Sequence, residues 1–477
     1  MLDMNLSYIT PEIVLVLVGF GLLLIGMWNP SFRRRGAGWI AALGILAGMV
    51  LEARLWGVDD ATFSQTFRAD GFSVFFKEVF LVAAFLVVIS SFRFAELRVK
   101  RASDFYALTL FALTGMMLLA SATEFITLYI SLEMMTISFF ILVASIKTEA
   151  RPAEAGLKYL ILNAMSSALL LYGISLFYGL TGSTYFEDVA AVFSGGTGTL
   201  LAGIGLVLVL VGFGFKVSMV PFHMWAPDVY EGAPTPVSGF LATGSKAAGF
   251  AILLRAFLTA FPGAEGFWVP LVAVMAAITM VIGNLVAVPQ TNIKRLLAYS
   301  SVAQAGYLLV GVAAANHLGI TAVLFQALLY TFSTLAAFAV ATVYGQASGS
   351  DDIDDYAGLG RRSPLLAVVM LISMVSLAGV PPFAGFMGKF TLFASAVDAG
   401  QTWLAALGLL VSVVSIFYYF RVIRVMYVDA PRETGTTLEL SVMTRFALVI
   451  AALGIVFLGV FPGMVMDWAS AAASVMR

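Results

Sequence analysis

The sequence predicts an all-α polytopic membrane protein of about fourteen transmembrane helices, and three observations carry that reading. Of 477 residues, 61% are hydrophobic and 11% charged, where soluble domains have roughly half and a quarter; the mean hydropathy is +0.98. Apolar runs of 18 or more residues, the length that crosses a bilayer, recur along the whole chain. No hydrophilic stretch between them is long enough to fold alone, so 1–477 reads as a single membrane domain. The lack of cysteine excludes disulfides, thiolate metal sites and iron–sulfur ligation. Two distant histidines approach no metal-ligand spacing, and no Gly-rich phosphate loop is present. A net charge of −1 gives no footprint for nucleic acid. The 44 glycines are spread through the apolar runs, where helices pack closely.

The spans are expected to begin near residues 9, 38, 71, 104, 124, 155, 200, 236, 267, 294, 319, 364, 402 and 441. The first follows a short start with Asp3 and lacks the basic leader of a secretory signal. Alternate connections then separate by charge. One set carries Arg33, Arg34 and Arg35; Arg93, Arg98, Lys100 and Arg101; Lys147 and Arg151; Lys294 and Arg295; Arg361 and Arg362; and Arg421, Arg424 and Arg432. The other holds little beyond Arg54 and Arg68. Basic connections stay in the cytoplasm, so both termini should face away from it. The stretch DDIDD (351–355) reads as an exposed loop whose acidity hardly affects orientation.

Two segments resist a simple helix. Val220-Pro221-Phe222 interrupts the run that starts at 200, and Val380-Pro381-Pro382-Phe383 interrupts the run that starts at 364. Each run is roughly thirty residues, too long for one span and suited to a broken helix. By this topology the two run in opposite directions, the sequence sign of an inverted repeat with sites at the breaks. Proline kinks are also common in membrane helices, so the pair alone is a weak sign.

Ionisable residues inside the spans are few: Glu133, Lys158, Lys216, Lys246 and Lys389, with Glu154 at a helix start. Lys77, Glu78 and Arg255 lie nearer span ends, where long side chains can snorkel to the interface as anchors. Glu133, in EFITLYISLEMMTISFFILV, sits too deep for that. Lys246, in SGFLATGSKAAGFAILL, is similarly deep, among small residues that leave room for water. Lys216 precedes one break and Lys389 follows the other. Unwound backbone at membrane depth survives only when buried in protein or lining a wet cavity, so a lysine beside it has polar company. Burial disfavours its charge and a nearby carboxylate restores it. The pattern points to a proton relay at mid-membrane, with lysines as carriers and carboxylates as switches. A structural ion-pair set would explain Glu133 with one lysine, but not the surplus of lysines. His223 suits proton exchange with water, or a plain hydrogen bond near the interface. His317 falls in an expected loop, and Trp225 reads as part of an aromatic belt.

Four stretches carry a family resemblance: EAGLKYLILNAMSSALLLYG (154–173), KVSMVPFHMWAPDVYEGAPTPVSGF (216–240), NIKRLLAYSSVAQAGYLLVG (292–311) and SLAGVPPFAGFMGKF (376–390). They resemble the antiporter-like membrane subunits of respiratory complex I, nearly end to end, and APDVYEGAPTPV favours the N type of bacterial NADH:quinone oxidoreductase. The resemblance implies fourteen helices with two inverted five-helix repeats, here 104–262 and 267–430, and broken seventh and twelfth helices. It places Glu133, Lys158, Lys216, Lys246 and Lys389 at the relay positions of the fifth, sixth, seventh, eighth and twelfth helices. It also implies a non-redox subunit of a translocase, with flavin, iron–sulfur clusters and quinone held by partner subunits, and M-type and K-type membrane neighbours. One departure stands out: position 304 is glutamine, where such subunits commonly carry histidine.

Three functions compete. The first is a proton-translocating subunit of a redox-driven complex; the second is a subunit of a multi-subunit Na⁺/H⁺ antiporter, distinguished by its partners. The third is a scaffold whose buried pairs only fix packing, in which Lys216→Met and Glu133→Gln would spare transport.

Overall fold

The computed structural model describes residues 5–28, 36–146, 148–194, 200–431, 438 and 440–476. Arg33, Arg34, Arg35, Lys147 and Arg432 of the charge pattern, and Asp3, lie outside them. Among the described residues, twelve helices are long and apolar enough to cross a membrane, and two shorter apolar helices, Ala37–Ala53 and Pro364–Ala378, complete the fourteen expected spans. In order, the spans are Thr10–Trp28, Ala37–Ala53, Gly71–Ser90, Ala102–Ser121, Phe125–Val143, Ala150–Thr181, Leu200–Val217, Thr235–Ala260, Glu265–Ala287, Ile293–Ala314, His317–Ser348, Pro364–Ala378, Thr402–Tyr427 and Val442–Val460. The observed starts fall within a few residues of the expected ones because the polar residues that bound each run also cap it. Asp70 accepts from the Ser73 amide at 2.7 Å in a full capping box, and Asn292, Asn316 and Ser441 cap the tenth, eleventh and fourteenth spans.

The eighth, tenth and eleventh spans are buried almost throughout and form the centre of the bundle. The first, second, sixth, thirteenth and fourteenth expose apolar side chains such as Leu24, Leu43, Leu410, Phe417 and Leu453. These exposed apolar side chains suit lipid or neighbouring membrane subunits.

Contacts between connections respect the alternation. On one side of the bundle Asp70 pairs with Arg255, Glu124 bridges to Tyr185, and Asn316 donates to Asp398 at 2.9 Å. On the other, Arg98 pairs with Glu149, Arg295 with Asp228, and Arg421 with Asp354. The only sheet among the described residues is the hairpin Asp60–Thr62 with Phe67–Ala69, on the first of these sides.

Both expected breaks are present. The seventh span ends at Val217 and resumes as the short helix Trp225–Gly232; the twelfth ends at Ala378 and resumes as Ala384–Asp398. The peptide bonds Val220–Pro221 and Pro381–Pro382 are cis.

Three expectations of placement are corrected. Trp225 is not a belt residue: it is buried, its indole N–H donates to the Phe215 carbonyl at 2.9 Å, and its ring stacks on Phe215. His317 is the first residue of the eleventh span, and its Nε2 lies 3.1 Å from the Ser470 carbonyl. The DDIDD stretch is partly folded, with Ile353 buried and its amide bonded to the Thr291 carbonyl at 2.8 Å.

Candidate functional site

A broken helix leaves backbone carbonyls without partners, and such groups must be answered inside a membrane. At the first break the Met219 amide donates to Gly214, and Trp225 and the Ser218 amide both donate to Phe215. Val220 donates to Thr279 Oγ1 at 3.0 Å. At the second, Gly379 is left-handed at φ +84° and closes the half-helix, with its amide on Ser376. The Gly385 amide donates to Ser376 Oγ, which also bonds Ser333.

Each break holds a lysine at the C-terminal end of a half-helix, where the helix dipole favours a cation. Lys216 lies in the last turn before the first break and is buried. Its Nζ donates to Thr136 Oγ1 at 2.7 Å and to Asn163 Oδ1. Lys389 reaches back over the second break to the last helical carbonyl, Ala378, at 3.0 Å, and to Ser412 Oγ at 2.9 Å. Its ammonium stands 4.6 Å from the Tyr307 ring centre. A side chain on Gly379 would strike it, since an added Cβ would lie 2.8 Å from Lys389 Cδ.

Glu133 is not on Lys216. Its carboxylate accepts from Ser167, one turn beyond Asn163 on the sixth span, while Thr136 lies one turn beyond Glu133 on the fifth. Carboxylate and ammonium are thus held one turn apart on two helices at once, about 5 Å of rise.

Lys246 follows a π-turn, Leu241–Ser245, in the eighth span; such turns recur at functional sites. It is buried and donates to the Ser301 carbonyl at 2.6 Å and to Ser301 Oγ. Ser301 begins a polar stripe on the tenth span. Three residues on, Gln304 donates to the Leu377 carbonyl at 3.0 Å and lies 3.4 Å from Gln326 Nε2. Three further on, Tyr307 faces Lys389 and its hydroxyl accepts from Asn284 at 3.1 Å. Successive residues at this spacing are neighbours on the helix surface, so the stripe runs from the partner of Lys246 to the partner of Lys389. Close packing holds the stripe in place: a Cβ on Gly388 would lie 1.6 Å from Gln326 Oε1, and one on Gly249 would lie 2.9 Å from Val217.

Glu154 lies near the start of the sixth span, as expected, and Lys158 is corrected from the span interior to the same end. Lys158 is partly exposed and bonds Glu154 and Asp228, each at 3.0 Å. Asp228 and Glu231 pair with Arg295, both at 2.9 Å. These groups line a cavity of about 230 Å³ at the basic-connection end of the bundle, its mouth rather than its middle. His223 is half-buried beyond the first break, its Nδ1 without a hydrogen-bond partner, and is not joined to the stripe by a bond.

Sequence reasoning missed one buried cluster. Lys77, read as a possible anchor, is wholly enclosed and contacts Glu12 at 2.7 Å and Glu52 at 3.6 Å. Arg255, read the same way, is buried in a two-pronged pair with Asp70, at 2.8 and 2.9 Å. Proximity to span ends was the only signal, and it pointed to the interface.

Comparison with known proteins places this geometry in context. Residues 122–415 match the family model described as NADH:quinone oxidoreductase/Mrp antiporter, TM. The chain is 49% identical over 474 residues to the NADH-quinone oxidoreductase subunit N of Heliobacterium modesticaldum, covering 98% of this chain and 99% of that one. A chain of respiratory complex I from Thermus thermophilus is 34% identical, covering 96% of this chain and 98% of its own, with a TM-score of 0.80. A chain of the Mrp complex from Dietzia sp. DQ12-45-1b shares the fold at a TM-score of 0.86, over 99% of this chain and 97% of its own, with 19% identity.

Proposed function

Because this chain belongs to the NADH:quinone oxidoreductase/Mrp antiporter transmembrane family, we propose that it is the proton-translocating N-type membrane subunit of an NADH:quinone oxidoreductase. The observation that carries the reading is the series of buried polar contacts Glu133–Ser167, Asn163–Lys216, Lys246–Ser301, Gln304 and Tyr307–Lys389. In this reading Glu133 is the switch that sets the charge of Lys216. Lys246 carries the proton across the centre and Lys389 is the far terminus. The mouth formed by Glu154, Lys158 and Asp228 serves as the port to the cytoplasmic side, with His223 beside the first break as an exchanging group. The segments 104–262 and 267–430 act as inverted repeats, each with one break, which the opposite directions of the seventh and twelfth spans support.

The chain's part is electrostatic and non-redox. Flavin, iron–sulfur clusters and quinone are placed in partner subunits; the absence of cysteine fits that division. The M-type and K-type subunits are the proposed neighbours, in a bacterial inner membrane with both termini periplasmic. The antiporter alternative rests on the shared fold, while the relatives of high identity are subunits named for NADH-quinone oxidoreductase.

The test is Glu133→Gln in the assembled complex, read as proton pumping and quinone reduction together. The expected result is normal assembly with coupled pumping strongly reduced. Unchanged pumping with normal assembly would overturn the assignment of Glu133.

A further inference from the structure

Outside the lysine line, the first three spans enclose their own charged cluster. Glu12 lies in the first turn of the first span, Glu52 in the last turn of the second, and Lys77 in the second turn of the third. All three positions fall near one membrane face, yet none opens to it. Relative exposure is 2% for Glu12 and 0% for Glu52 and Lys77. Phe67 of the hairpin covers the ammonium, 4.6 Å from its ring centre. On the same side the C-terminal helix Gly463–Ala473 packs its Trp468 on Trp56 and Phe75.

The charges do not balance. One ammonium serves two carboxylates, Glu12 at 2.7 Å and Glu52 at 3.6 Å, and among the described residues neither carboxylate receives a hydrogen bond. Two ionised carboxylates around one ammonium leave a net negative charge in an enclosed site, which favours a proton on the more distant of them, Glu52. The neighbouring charges are Asp70, already engaged by Arg255, and Glu78. Glu78, next to Lys77 in the chain, lines an apolar groove of about 540 Å³ with Trp56, Trp468 and Met49, and its Oε1 is buried without a partner.

We propose that Glu12, Glu52 and Lys77 form a proton-holding site separate from the central line, with Glu78 as its port to the groove. At rest Lys77 is an ammonium, Glu12 a carboxylate and Glu52 a neutral carboxylic acid. On release the Glu52 O–H breaks, the proton passes to the Glu78 carboxylate and from there to water. The site then holds two carboxylates around one ammonium. Uptake reverses each step, and no other species is consumed.

The experiment is infrared difference spectroscopy on the purified host complex without turnover, comparing the parent with Glu52→Gln and exchanging H₂O for D₂O. The parent should show one carboxylic-acid carbonyl band that Glu52→Gln removes. Glu52→Asp should move that band rather than abolish it, which keeps the test open if the glutamine variant assembles poorly. Glu78→Gln should leave the band in place and slow its deuterium shift severalfold. Identical carboxylic-acid regions in parent and Glu52 variants would overturn the site, leaving a purely structural triad. An unchanged exchange rate in Glu78→Gln would overturn the port. Because the readout needs no pumping, its failure is separate from failure of the central relay.

Discussion

At the scale of single residues, the depth of a charge decided what the sequence could reveal. Glu133, Lys216, Lys246 and Lys389 were legible because each sits far from any polar boundary, where an ionisable group needs a reason. Glu12, Glu52 and Lys77 were not, because residues that close to a span end look the same whether they reach water or are roofed over. The roof is a hairpin and a C-terminal helix that no local pattern announces. The same applies to Asp70 and Arg255. Removing one partner of such an enclosed pair costs about 3–5 kcal/mol, so Asp70→Asn should markedly lower the temperature at which the detergent-solubilised complex dissociates. The pH dependence follows from the carboxyl. Burial raises its pKa, but the Arg255 guanidinium and the Ser73 amide outweigh burial and hold it below the usual value. A depressed folded-state pKa gives stability that is complete above the unfolded value, about 3.9, and is lost as pH falls through the lower one. The gap between parent and Asp70→Asn should therefore be constant across neutral pH and narrow only in strong acid, as thermal melts over a pH series would show. At the second break, Lys389→Met strips the Ala378 carbonyl of its cation. We expect a loss of about 1–3 kcal/mol from that unpaired group, together with reduced pumping. Intact stability and intact pumping would refute the capping role.

At the scale of elements, the breaks were legible from their prolines, but their fastening was not. Val220-Pro221 and Pro381-Pro382 announce interrupted helices; nothing in the sequence says that the fourteenth span fastens the second one. There, an added Cβ on Gly459 would lie 2.2 Å from the Pro382 carbonyl oxygen, a backbone atom that cannot swing aside. Gly459→Ala should force the span off the break at about 1–3 kcal/mol of overpacking strain, measurable as lower assembly yield and a lower melting temperature. Gly203→Ala, whose Cβ would meet open space, is the matched control and should be nearly neutral. Likewise the place of Glu154 at a helix start was legible from sequence, but not the exposure of Lys158 beside it. That depended on Asp228, carried back to them by the half-helix Trp225–Gly232.

At the scale of the whole molecule, the number and alternation of the spans were legible because a bilayer dictates both length and charge bias. Which helix touches which was not, since apolar faces pack without sequence labels. The apolar side chains exposed on the first, second, sixth, thirteenth and fourteenth spans belong to this scale. Extraction of the tagged chain in mild detergent should retain quinone-reductase subunits with flavin and iron–sulfur absorbance. A colourless assembly of small membrane proteins would point instead to the antiporter reading. A last consequence lies in Gln304, midway between the two halves of the line. An amide passes on a hydrogen bond but holds no charge, so in the proposed relay it acts as an insulating gap in a conductor. In that relay the lysines on either side would act like facing plates, a charge gained on one altering the other through the field across the gap.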